Sequence, residues 1–248
     1  MSSIPDFSTV VAVDCRTIDQ LKLVWPTWRK FKPEILRHPL VPLIDERVMV
    51  ENRSLDWLDH PDIQPVIWDW DAPGATQRER MLTAFVFAAP IYVDTPYWLK
   101  IDTDVVATNH DQWIFPEWFE ENPAIIASPW GYTKPAHWLS TLEAWGDTVD
   151  QLSIYPKVGL TPDPDKATYR YQRIASWLSW IRTDWSREVA GYNGNRLPVP
   201  SQDTYHWYVA ARRGDKIVRA RMKRYGWSCL NSGRNRKKLV EEVMNEVD

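Results

Sequence analysis

The chain has 248 residues, 44% hydrophobic and 25% charged, with a formal net charge of −3, ordinary values for a soluble globular protein and enough length for one large α/β domain or two small ones. No stretch approaches the roughly 20 apolar residues of a membrane span. The N-terminal "MSSIPDFSTVVAVDC" has neither a basic start nor a long apolar core, so a secretory signal is not expected, and two cysteines (Cys15 and Cys229) exclude a disulfide framework and fit the reducing cytoplasm.

In chain order, Thr9 to Cys15 ("TVVAVDC") reads as a buried strand. The capping box "TIDQ" (Thr17 to Gln20) predicts a helix through about Phe31, bent or broken near Pro26. "PLID" (Pro42 to Asp45) and "PVIWDW" (Pro65 to Trp70) predict further short strands. A second capping box, "TQRE" (Thr76 to Glu79), opens a helix carrying Met81, Leu82, Phe85 and Phe87 toward Pro90. A strand is expected over 97–107 and another over "AIIASPW" (Ala124 to Trp130). Strand and helix alternate through these 130 residues, which predicts a mainly parallel sheet with helices on both faces, in an α/β fold of one continuous domain.

The second half is less regular. Ile174, Trp177, Leu178, Ile181 and Trp185 recur at helical spacing and predict a helix over 167–190, closed by Gly191. A helix over 201–214 follows Pro200, "KIVRARM" reads as a last strand, and 235–247 as a terminal helix.

Sixteen tryptophans are unusual, and read first as core filler, with a few available as stacking platforms for sugars or bases. Charge is also uneven. From Arg212 to Lys238 the chain has eleven basic residues against one acid, Asp215, a local +10 on a chain totalling −3. Such a segment is either a solvated face or a surface for a polyanionic partner or phosphates.

The most informative stretch is "PYWLKIDTDVVATNH". Aspartate is a poor strand residue and a buried unpaired carboxylate is costly, yet Asp102 and Asp104 interrupt an apolar run. In a parallel α/β sheet ligands bind beyond the carboxyl ends of the strands. Alternation along a strand would point both acids to one side, where they could share a hard divalent cation, Mg²⁺ or Mn²⁺, whose remaining positions go to diphosphate oxygens. A pair of loop-capping acids is the alternative. Asp69 and Asp71 in "WDWDAPG" sit on the same rim and either bond a ribose or cap the turn.

"WLKIDTDVV", about ninety residues after a first strand ending "VAVDCR", resembles the DxD region of GT-A nucleotide-sugar glycosyltransferases. The resemblance covers roughly residues 8–130, with looser support to 214. It implies a single GT-A-like domain: a nucleotide-sugar-binding half over about 8–130 and an acceptor half over about 131–248. On the family pattern Val13, Asp14, Cys15 and Arg16 would line the base pocket, and Arg80 in "RERM" would reach the donor sugar or diphosphate, a role that suits the planar guanidinium fork. In inverting members a later acid at a helix start is the general base, and Asp203 in "PSQDTYHWY" matches that setting. His206, one turn on, could be a third metal ligand or a satisfied structural histidine. Many relatives carry a metal-binding histidine near the C-terminus, and this chain has none after His206.

The expected donor is a nucleotide-diphosphate sugar, a UDP-sugar first, with Mn²⁺ or Mg²⁺. The basic segment suggests a polyanionic acceptor. More distantly, the compact chain resembles phage-type glycosyltransferases that decorate hydroxymethylated pyrimidines in DNA, while a glycan or lipid-linked acceptor also fits. A metal-dependent nuclease and a non-catalytic sugar- or nucleic-acid-binding module are the rival classes.

Overall fold

The computed structural model describes residues 3–50, 54–68, 83–132, 161–163, 168–170, 172–190, 202–229 and 233–245. Strand β1 (Phe7–Val13) leads into helix α1 (Ile18–Phe31), and β2 (Leu40–Asp45) into the short α2 (Glu46–Val50), followed by β3 (Val66–Trp68). A π-helical turn (Ala84–Ala88) runs into α3 (Ala89–Tyr92) and then β4 (Tyr97–Ile101) and β5 (Val105–Ala107). Next come β6 (Ile125–Tyr132), β7 (Thr161–Asp163), β8 (Thr168–Arg170), β9 (Gln172–Arg182), α4 (Thr183–Ala190) and α5 (Gln202–Arg213). The chain closes with β10 (Ile217–Arg219), β11 (Trp227–Cys229) and α6 (Gly233–Asn245).

Seven strands form the central sheet in the order β10-β6-β9-β4-β1-β2-β3. Neighbours are parallel except β9, which runs antiparallel between β4 and β6. The mainly parallel sheet with flanking helices is therefore as expected. Every residue of β1, β2 and β4 is buried, as strands covered on both faces must be. One face packs Leu99 and Ile101 with Trp28, Trp113, Trp180 and Trp227; the other packs Trp98 with Phe85, Trp185, Tyr205 and Trp207. Most of the described tryptophans are thus core, each burying a large apolar area. Among the described residues no helix is long and apolar enough to cross a membrane.

Three of the expected elements differ from the structure in kind or extent. The helix expected over 167–190 is strand β9 up to Arg182, and only Thr183–Ala190 is helical. Central position explains it: Trp177 to Ile181 are all buried, Ser179 included, because both faces of β9 are covered, and an apolar run without alternation mimics helical spacing. Helix α1 continues unbroken through Pro26, since Val24, Trp25, Trp28 and Phe31 lock it into the core and outweigh the roughly 3 kcal/mol a proline costs mid-helix. The strand expected over 97–107 is interrupted: β4 ends at Ile101, and a turn in which Val105 N–H bonds the Asp102 carbonyl redirects the chain into β5. Strand β5 leaves the main sheet and pairs antiparallel with β11.

Helix α1 fixes that departure. Trp28 Nε1 donates to the Val105 carbonyl at 2.7 Å, and Thr27 Oγ1 accepts from Ala107 N–H at 3.1 Å. At the far end of α1 the buried Lys32 Nζ donates to the carbonyls of Asp111 and Tyr225, 2.8 Å each, tying the turn before β11 to the segment after β5.

Candidate functional site

Because β1, β2 and β4 are parallel, their carboxyl ends share one edge of the sheet. The residues following β1 form a tight helix entry there. Asp14 Oδ1 accepts from the N–H groups of Arg16 and Thr17 at 2.8 Å each, and Thr17 Oγ1 accepts from Asp14 N–H at 2.8 Å. The cap of α1 is this Asp14–Thr17 exchange, not the Thr17–Gln20 box read from sequence. Of the residues expected around a base, Val13 is fully buried in the core, the Asp14 carboxylate is engaged by its own turn, Cys15 is half-buried and Arg16 is exposed.

Next to it, at the end of β2, is an acid the sequence reading passed over. Asp45 is buried and pairs through both oxygens with Arg47, its Oδ1 accepting from Nε at 2.8 Å. That pairing is the main reason the Arg47 guanidinium is held more basic than usual, and the nearby Cys15 and Asp14 add to it. The rim of β1 and β2 thus carries an acid–arginine pair beside Asp14.

Asp102 and Asp104 lie on the turn that ends β4. The turn removes the strand alternation expected to point them to one side, and each is held by a cation from a different element. Lys100, 1% exposed in β4, lies over the Phe85 ring and donates from Nζ to Asp102 Oδ1 at 2.5 Å. Arg236, buried on α6, donates from Nη2 to Asp104 Oδ2 at 2.8 Å. Both carboxylates stay partly open, with side chains 38% and 26% exposed. They still share a neighbourhood: the Cys229 thiol is 3.9 Å from Asp104 Oδ1 and feels the charge of both acids. Burial first, then those two charges, pushes the thiol up to about 12, so it stays protonated at neutral pH.

His206 does not join the pair. It is 2% exposed on α5, enclosed by the rings of Trp98, Trp185 and Tyr205, and its Nε2 has no hydrogen-bond partner among the described residues. Burial, reinforced by the Lys100 charge, lowers the imidazole to about 3. This setting, that of a core histidine, gives no support to the third-ligand role expected for it. Among the described residues no three metal-binding side chains converge. Asp203 is the second residue of α5, as the sequence implies. Asp69, Asp71 and Arg80 lie outside the described residues.

Lys100 and Arg236 were missed for different reasons. A lysine two places before Asp102 in an otherwise apolar strand was a visible signal, since a buried ammonium needs a counter-charge. Nothing in "RNRKK" singled out Arg236. The acid pair fits a hard divalent cation as a partial ligand set: two oxygen donors, partly open, with positions left for a diphosphate. The Cys229 sulfur, a soft donor, does not suit such an ion.

Neither a family model nor a curated protein sequence matches the chain. Solved structures do. The mannosyltransferase Ktr4p from S. cerevisiae is similar with a TM-score of 0.50 at 13% identity, covering 84% of this chain, which spans 63% of that protein. The galactosyltransferase LgtC, solved with donor and acceptor sugar analogues, gives a TM-score of 0.53 at 11% identity over 98% of both chains. The mannosyltransferase PcManGT from Pyrobaculum calidifontis, solved with GDP-Man and Mn²⁺, gives 0.50 at 11% identity over 88% of this chain and 55% of that one. The chain shares its fold with these glycosyltransferases.

Proposed function

We propose that the chain is a metal-dependent glycosyltransferase that moves a sugar from a nucleotide-diphosphate donor, a UDP-sugar first, to an acceptor hydroxyl. The observation that carries this reading is the Asp102–Asp104 turn at the carboxyl end of β4, on the edge where β1 and β2 also end. Asp102 and Asp104 would hold Mn²⁺ or Mg²⁺, which supplies charge stabilisation on the departing diphosphate. The segment Val13, Asp14, Cys15 and Arg16 would meet the base and Asp69 the ribose. Arg80 would pair with donor phosphate or sugar. Asp203, three positions before His206 on α5, would accept the acceptor's proton, a role that needs hydrogen-bond reach of the attacking hydroxyl. His206 itself packs against the Trp98 ring of β4.

For the acceptor, support comes from charge. Arg221, Lys223 and Arg224 are exposed and in no ion pair among the described residues. A polyanion suits such a surface, and duplex DNA bearing hydroxymethylated pyrimidines is the acceptor we propose. The nuclease reading has less support, because a two-metal site needs more carboxylates than converge among the described residues.

The test is calorimetric titration with UDP and GDP, with Mn²⁺ or with EDTA, followed by donor hydrolysis across UDP- and GDP-sugars. Metal-dependent nucleotide binding, lost in Asp104→Ala, is expected. Binding that is indifferent to metal and to Asp104→Ala would overturn the reading.

A further inference from the structure

We propose that Arg236 makes cation loading depend on the diphosphate: it occupies Asp104 in the free protein, so the acid pair takes a divalent cation tightly only once a diphosphate is bound beside it. This rests on the reading of Asp102 and Asp104 as cation ligands. Of three consecutive cations on α6, Lys237 and Lys238 face solvent and pair with Glu241 and Glu242 one turn on. Arg236 alone turns inward, on the face that also buries Val240 and Val243. Helix α6 is anchored there: both valines belong to the core that includes α1, and Lys30 Nζ of α1 donates to the Val243 carbonyl at 3.4 Å. The guanidinium is therefore delivered to Asp104 by a docked helix, with its side chain only 5% exposed.

The consequence is a charge balance. Asp102 and Asp104 each face a fixed cation, Lys100 and Arg236, so each charge already has a counter-charge before any metal arrives. A divalent ion arriving at these half-buried pairs is repelled by both fixed cations, and it meets carboxylate lone pairs already engaged. A diphosphate reverses this by bringing its own negative charge and oxygen ligands, and the fixed cations then attract it too. Bare acids would bind metal first; this arrangement favours nucleotide and metal together.

The test is Mn²⁺ titration of the full chain by electron paramagnetic resonance, with and without UDP or GDP, on the wild type, Arg236→Met and Arg236→Lys. The wild type should bind Mn²⁺ at least tenfold more tightly with nucleotide than without. Arg236→Met should tighten Mn²⁺ binding without nucleotide at least tenfold, and Arg236→Lys, which keeps the charge, should stay near wild type. Arg236→Met, or Arg236→Gln if the first fails to fold, binding Mn²⁺ without nucleotide no more tightly than the wild type overturns the inference and leaves the function reading standing, because the wild-type comparison tests only the coupling that reading already requires. No Mn²⁺ binding by the wild type under either condition overturns both.

Discussion

The imidazole of His206 on α5 lies in the field of the Lys100 ammonium on β4, and neither can reach water. An unfolded histidine titrates near 6.5, while burial and then Lys100 hold this one to about 3. Below pH 6.5 the unfolded chain takes up a proton that the folded chain refuses. Stability is therefore complete above 6.5 and falls as pH drops toward 3, by on the order of 5 kcal/mol over the whole window. His38, lowered by burial, adds in the same direction. His206→Phe should flatten the fall in urea-unfolding free energy below pH 6.5; an unchanged slope would show that the imidazole does not titrate as described.

Asp104→Ala removes a carboxylate from the buried Arg236. A cost of about 1–3 kcal/mol is expected in urea unfolding, apart from any effect on ligand binding. Combining it with Arg236→Met should recover much of that loss, because the two side chains form one coupled unit. Additive losses would mean that the pair does not interact in solution.

Gly226 and Gly214 both adopt left-handed backbone, with φ of 76° and 75°. They differ in surroundings. A Cβ at Gly226 would lie 1.9 Å from Asn109 Oδ1, whereas at Gly214 nothing lies within 4 Å. Gly214→Ala should cost about 1 kcal/mol from backbone strain alone, and Gly226→Ala clearly more, as Asn109 must also move. Thermal unfolding would check the order; a reversed order would refute it.

If duplex DNA is the acceptor, its binding should weaken steeply with salt. Replacing Arg221, Lys223 and Arg224 together by glutamine should reduce the slope of log K against log salt by about 2–3, roughly 0.9 for each phosphate no longer neutralised. Equal slopes would show that DNA does not bind over this surface.

How much of this was legible in the sequence depends on the range of the forces involved. The strands β1, β2 and β4, helix α5 and its stop at Gly214 follow from local apolar runs and turn residues, and all were visible. So was the acid pair at the end of a buried strand. The turn at Asp102 was not, because it is imposed by α1, whose Trp28 and Thr27 bond β5 from some 80 positions earlier. Strand β9 was misread because burial on both faces erases the alternation that marks a strand. Arg236 could not be assigned to Asp104 from sequence: 132 positions separate them, and only the docking of α6 brings them together.

The strand order carries a consequence for synthesis. Strands β4 and β6 each pair with β9, which leaves the ribosome after both of them. Until Arg182 has emerged, the nascent chain holds two apolar strands with unpaired backbone along their facing edges, a template for pairing with other chains. A product cut short before residue 172 would be expected to aggregate when expressed, however complete its donor-side strands.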